Sequence, residues 1–140
     1  METIEATKAM KTISEAADVT GLSEDTLRYY ERIGILWDIE RNTSGHRRYS
    51  DMALNWLGLV VRLRSTGMPL ETIQRYAELM QQGDVTIPLR RDILAEHKAQ
   101  TEREAQRLFE LTRLLEGKID KYDTAMRLGA NLPAGPCETL

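Results

Sequence analysis

Apolar side chains recur along this chain at helical spacing, interrupted at short intervals by glycine, proline and hydroxyl residues. Thr12 followed three residues later by Glu15 is the spacing of a capping box, which predicts a short helix over Ile13–Ala17. Gly21 interrupts, and Ser23 with Glu24 and Asp25 in the following turn predicts a second helix running to about Arg32 and stopping near Gly34. Small residues (Ala16, Ala17, Val19) suit a close helix crossing, and Leu22, Leu27, Ile33 and Ile35 would fill the space between the two helices. Leu36–Ile39 reads as a short strand and Arg41-Asn42-Thr43-Ser44-Gly45 as a turn, with Arg47-Arg48-Tyr49 returning to make a small hairpin. Ser50 caps a third helix to about Ser65, with Leu54, Leu57, Val61 and Leu63 among its apolar positions. A fourth starts at Pro69 and carries Leu70, Ile73, Ala77 and Met80 up to Gly83.

From Leu89 to about Met126 there is no proline, and Gly117 is the one glycine. Leu94, Leu108, Leu115 and Tyr122 fall on one heptad series, and Ala105, Ile119 and Met126 on its neighbour, with Thr101 and Thr112 as weak members. A helix of about 38 residues is ~57 Å long and would project from a domain of this size. A projecting helix with one apolar seam calls for a partner, and the simplest partner is a second copy. The organisation expected is therefore a flexible start (1–10), a winged-helix domain with accessory helices (11–83), a dimerisation helix (84–128) and a flexible tail (129–140). Its fold class is mainly α, a winged helix-turn-helix followed by a long C-terminal helix.

Composition narrows the chemistry. The 140 residues hold 41% hydrophobic and 29% charged positions, enough for one modest core with much exposed helix. No apolar run is long enough to span a membrane, and the start lacks the basic and apolar segments of a signal peptide, so a cytoplasmic protein is expected. The single cysteine, Cys137, allows no internal disulfide and no cysteine zinc site, and no cofactor or metal is expected. No Cys/His pair, carboxylate pair or phosphate-binding glycine loop stands at usable spacing, so the chain is not expected to be an enzyme.

The net charge of −3 argues against a bulk polycation. Yet residues 41–49 gather Arg41, His46, Arg47 and Arg48 with no acid, directly after the helix bearing Arg28-Tyr29-Tyr30. Cations and phenols on a capped second helix and an adjoining hairpin are equipment for gripping a phosphate backbone. Arg47 and Arg48 alternate sides in a strand, and Arg47 is favoured as the one facing DNA. One tyrosine of the adjacent pair should turn toward the core, since neighbouring helical residues point ~100° apart. Trp37 and Trp56 read as packing residues.

Residues 12–36 (Thr-Ile-Ser-Glu-Ala-Ala, then Thr-Leu-Arg-Tyr-Tyr-Glu and Gly-Ile-Leu), the segment Arg-Asn-Thr-Ser-Gly-His-Arg-Arg-Tyr and the run Ser65-Thr66-Gly67-Met68-Pro69 closely resemble the MerR family of bacterial transcription regulators. The resemblance covers about residues 11–82 in motifs, and the last helix in layout only. It implies a winged-helix domain and a homodimer joined by an antiparallel coiled coil, each protomer taking half of a palindrome. It further implies bending and untwisting of a promoter spacer so that RNA polymerase engages both promoter elements. The residues implied to contact double-stranded DNA are Ser14, Thr26, Arg28, Tyr29 and Tyr30 on the helices, and Asn42, His46, Arg47, Arg48 and Tyr49 on the wing. Arg62 stands about where an electrophile-sensing branch of the family carries a cysteine, so that mechanism lacks its nucleophile. By family layout, a small-molecule effector would sit near Trp56, Tyr76 and Met80. The alternative reading is an effector-independent DNA-bending architectural protein of the excisionase kind, which shares the small winged helix but lacks such a helical extension.

Overall fold

The computed structural model describes residues 10–129. Among them are five α-helices and one two-stranded antiparallel ribbon: α1 (Ile13–Thr20), α2 (Glu24–Arg32), β1 (Glu40–Arg41), β2 (Arg47–Arg48), α3 (Asp51–Ser65), α4 (Leu70–Gln81) and α5 (Ile87–Leu128), with a 3₁₀ turn at Asp84–Thr86 before α5. Two compact units result, one through Ala95 and one from Glu96 onward.

The helix starts follow the hydroxyl residues. The Thr12 hydroxyl accepts from the Glu15 amide at 3.1 Å, and the Glu15 carboxylate accepts from the Thr12 amide at 2.9 Å, completing the capping box. Those bonds to Thr12, the backbone one foremost, hold the Glu15 carboxyl below its ordinary range. Ser23 and Ser50 accept from the amides three residues on, capping α2 and α3. Helix α1 runs three residues past the expected Ala17, because Gly21 takes a left-handed conformation (φ 76°) and returns its N–H to the Ala17 carbonyl. Val19, expected at the crossing with α2, is 62% exposed, while Ala16 is fully buried.

A single core occupies the first unit. Leu27, Ile35, Leu57, Val60, Met68, Ile73 and Tyr49 are almost wholly buried, with Leu36, Leu54, Trp56, Leu63 and Tyr76 around them. Burial of each such aliphatic side chain is worth about 1.5–3 kcal/mol before ordering costs. Ile93 and Leu94, on the first turns of α5, pack against this core. Leu94 thus serves the core and does not begin the expected seam.

The segment expected as a strand, Leu36–Ile39, is irregular, and the ribbon forms one step later with Glu40 opposite Arg48 and Arg41 opposite Arg47. Ile35 and Leu36 point into the core, and Asp38 takes φ 53°, which no strand can include. Two long-range bonds pin this stretch behind α2. The Trp56 indole N–H donates to the Ile35 carbonyl at 2.8 Å, and the Gln74 carboxamide donates to the Ile33 carbonyl at 3.1 Å. Lys11 adds one further rung, exchanging both backbone hydrogen bonds with Tyr49 at 2.7 and 2.8 Å.

Described by itself, the second unit is the remainder of α5, a helix of 42 residues in all. Leu108, Leu111, Leu115, Ile119, Tyr122 and Met126 lie along it with between 46% and 76% of their surface exposed. Among the described residues no helix is long and apolar enough to cross a membrane.

Candidate DNA interface

The start of α1, the exposed face of α2 and the wing enclose a shallow cleft of about 290 Å³ lined by Thr12, Ile13, Ser14, Arg28, Gly45, His46, Arg47 and Arg48. Five of the residues expected to contact DNA therefore meet in one place, although they come from three separate elements. Arg28, Arg47 and Arg48 bring three guanidinium groups to this cleft, chemistry suited to a phosphate.

Each lining element has a local cause. Arg28 is held only loosely, by Asp25 at 3.1 Å and Glu24 at 3.3 Å, and its own side chain is 44% exposed. Ion pairs this exposed contribute about 0–1 kcal/mol, so the guanidinium can leave them for a phosphate at little cost. Tyr29 is 39% exposed on the same face, with the Arg32 guanidinium 5.3 Å from its ring centroid. Thr26 is half-buried, and its hydroxyl accepts from the Ser23 hydroxyl at 2.9 Å.

The wing loop is shaped by Asn42. Its side-chain oxygen accepts from the amides of Ser44 (3.0 Å) and His46 (2.9 Å), and Gly45 supplies the left-handed turn at φ 83°. The Asn42 carboxamide oxygen is therefore engaged in the loop, and the structure leaves the exposed His46 side chain at the tip.

Three of the residues expected to contact DNA are wholly or partly buried. Tyr30 is 8% exposed and belongs to the core, as expected for one of the adjacent pair. Tyr49, expected to meet a phosphate, is wholly buried. As the residue after β2, it turns inward beneath the wing, and its hydroxyl finds no hydrogen-bond partner among the described residues. Burial, ahead of its charged neighbours, raises the pKa of that phenol. Arg47, expected to be the free DNA-facing cation, donates from Nε to the Glu31 carboxylate at 2.6 Å, with both side chains only 23% exposed. Arg41, opposite it on β1, reaches the other Glu31 oxygen at 3.7 Å. Arg48 lines the cleft and donates to the Arg47 carbonyl at 3.3 Å.

Glu31 is the residue missed by the sequence reading. A signal existed: the wing holds Arg41, Arg47 and Arg48 against one acid, Glu40, so a further counter-charge from another element is called for, and Glu31 directly follows the Tyr29-Tyr30 pair.

A second cleft, of about 220 Å³, lies on another side of the first unit, lined by Leu36, Trp37, Asp38, Ile39, Ser50, Met52, Ala53, Trp56 and Met80. The Trp56 ring stacks on Tyr76 (centroids 5.4 Å apart) and meets Trp37 at 6.3 Å. Of the three residues expected near an effector, Trp56 and Met80 line this cleft and Tyr76 backs it. Among the described residues, no group of three or more metal-ligating side chains lies close enough to hold a metal ion. Cys137 is outside the described residues.

Comparison with known proteins agrees with this geometry. Residues 11–79 match the MerR HTH family regulatory protein model, and residues 54–118 match the MerR DNA-binding model. A helix-turn-helix transcriptional regulator from Haemophilus influenzae is 39% identical over 132 residues, covering 89% of this chain and 96% of that protein. The crystal structure of HiNmlR, a MerR family regulator lacking the sensor domain and bound to promoter DNA, is 36% identical with a TM-score of 0.75, covering 86% of this chain and 96% of that one. A MerR-family regulator from Listeria monocytogenes superposes with a TM-score of 0.78 at 33% identity, covering 85% of this chain and 90% of that one. A chain that matches these relatives along nearly their whole length, with a winged helix-turn-helix carrying the cations, belongs to the MerR family of DNA-binding transcriptional regulators.

Proposed function

We propose that the chain acts in the cytoplasm as a homodimer on a palindromic promoter site, one half-site per protomer, and that it activates by bending and untwisting the promoter spacer so that RNA polymerase engages both elements. The observation that carries this reading is the cleft in which Ser14, Arg28, His46, Arg47 and Arg48 converge. Apolar side chains left half-exposed at sevenfold spacing on α5 (Leu108, Leu115, Tyr122) support pairing with a second copy through an antiparallel coiled coil. HiNmlR, similarly short, is bound to promoter DNA in its crystal. Footprinting of the purified chain on the DNA upstream of its own gene is the test, and no protected palindrome at low salt would refute the reading.

The signal is assigned to the second cleft. It would take a small, largely apolar ligand on the Trp56 face beside Met80, with Tyr76 stacked behind. The protein's two tryptophans, Trp37 and Trp56, both line it, so their emission reports occupancy directly. A metabolite screen read by that emission checks the assignment. A ligand that shifts promoter affinity without touching tryptophan emission would place the effector elsewhere.

A further inference from the structure

Among the cations of the DNA face stands one carboxylate in an unfavourable place. Glu31 lies on the last turn of α2, where the helix dipole disfavours an acid, and beside a cleft built for phosphates, which it repels. It is also half-buried, so its desolvation needs compensation. What compensates it is the wing. One oxygen takes the Arg47 Nε–H at 2.6 Å, and the other faces Arg41 at 3.7 Å. These two arginines are direct cross-strand partners in the ribbon, a like-charge pairing that opposes strand association. Glu31 sits between the two, offsets one of their two positive charges and ties the two strands to the recognition helix.

Resting on the DNA-binding reading above, we propose that Glu31 is a positioning residue that fixes the wing against α2 and keeps Arg47 off the phosphates, so that site preference comes from fit rather than from bulk charge. Two consequences follow. Arg47 does not count among the cations that release counterions on binding. The spacing between wing and recognition helix is set before DNA arrives, so a duplex that cannot match it is rejected.

The test uses the full chain and two duplexes of equal length, one containing the footprinted site and one with its sequence shuffled. With Glu31→Gln, the shuffled duplex should bind roughly fivefold tighter at low salt, and the plot of log affinity against log salt should steepen by about 0.9, one added phosphate contact. The ratio of site to shuffled affinity should fall at least about threefold. Glu31→Asp retains the charge but not the reach to Arg47, so it should lose discrimination as the glutamine variant does. An aspartate variant with wild-type discrimination would mean that Glu31 acts only by repulsion, which overturns the proposal. So would a folded Glu31→Gln chain with unchanged slope and ratio. A readout without DNA stands beside these: trypsin should cut at Arg41 or Arg47 several-fold faster in Glu31→Gln, because the wing opens locally once untied. Unchanged cleavage in a chain of normal melting temperature overturns the tether. A wild-type chain that binds neither duplex would refute the DNA-binding reading itself, while the cleavage result still decides whether Glu31 holds the wing.

Discussion

The Tyr49 hydroxyl offers the sharpest check on the interface. Its ring is wholly buried beneath the wing, and the hydroxyl has no hydrogen-bond partner among the described residues. A buried hydroxyl in that state costs about 1–3 kcal/mol relative to one solvated by water. Tyr49→Phe removes the oxygen and keeps the ring, so the gain is reduced only by the small space vacated, at about 24 cal/mol per Å³ of residual cavity. The net expectation is a stabilisation of about 0.5–2 kcal/mol, or very roughly 3–10 °C in melting temperature for a unit of this size. Thermal melts and urea titration of the two chains measure it, and promoter affinity should be unchanged within about twofold. The pH dependence supplies an independent sign. Burial raises the phenol's pKa above its ordinary 10.0, so the unfolded chain ionises first as pH rises. The tyrosine's contribution is therefore intact below pH 10.0 and is lost as pH climbs from there toward the folded value, a loss the phenylalanine chain lacks. A Tyr49→Phe chain destabilised by more than about 1 kcal/mol would refute the reasoning, because the hydroxyl would then have a real partner such as a buried water. Weakened promoter binding at normal stability would refute it differently, by restoring Tyr49 as a phosphate contact.

Other outcomes follow from the same geometry. Arg28→Ala should shallow the salt dependence of promoter binding by about one unit, since its weak pairs with Glu24 and Asp25 release it to a phosphate; an unchanged slope in filter binding would remove it from the interface. The Thr12–Glu15 cap should hold above the ordinary carboxylate pKa of 4.5 and be lost as pH falls through the lower folded value. Protection factors of the α1 first-turn amides, corrected for the intrinsic exchange rate, should then fall in acid in the wild type but show no such step in Glu15→Gln. Leu115→Glu sets charges into the α5 seam and should weaken self-association at least about a hundredfold, read by sedimentation equilibrium; an undisturbed dimer would place the interface elsewhere.

What was legible in the sequence was whatever is settled within one turn of helix. Thr12, Ser23 and Ser50 announce their helices because a cap needs only a hydroxyl and the amides just beyond it. The wing turn was legible for the same reason, since Asn42 and Gly45 complete it among themselves. The strand was misplaced because alternation alone cannot show that Ile35 and Leu36 are claimed by a core assembled from α3 and α4, or that Asp38 breaks the backbone direction. The extent of α1 escaped for a smaller reason: only the left-handed Gly21 cap, not the apolar pattern, marks its end.

The arginines show where such reading stops. Sequence told that the wing is basic and that α2 carries Arg28; strand alternation said that only one of Arg47 and Arg48 faces DNA directly, and Arg47 was favoured. What alternation could not show is that Arg47 is bonded to Glu31 of α2. Arg47 and Arg48 both line the cleft, but Arg47 is bonded to Glu31, whereas Arg48 has no acid bound to it among the ion pairs of the described residues. Charge counted along a sequence therefore overstates the cations free to meet a phosphate. If Glu31 positions the wing as proposed, the balance between Arg28 and Arg48 on one side and Arg41 and Arg47, which share one carboxylate, on the other separates a wing that adheres to any duplex from one that requires a shape.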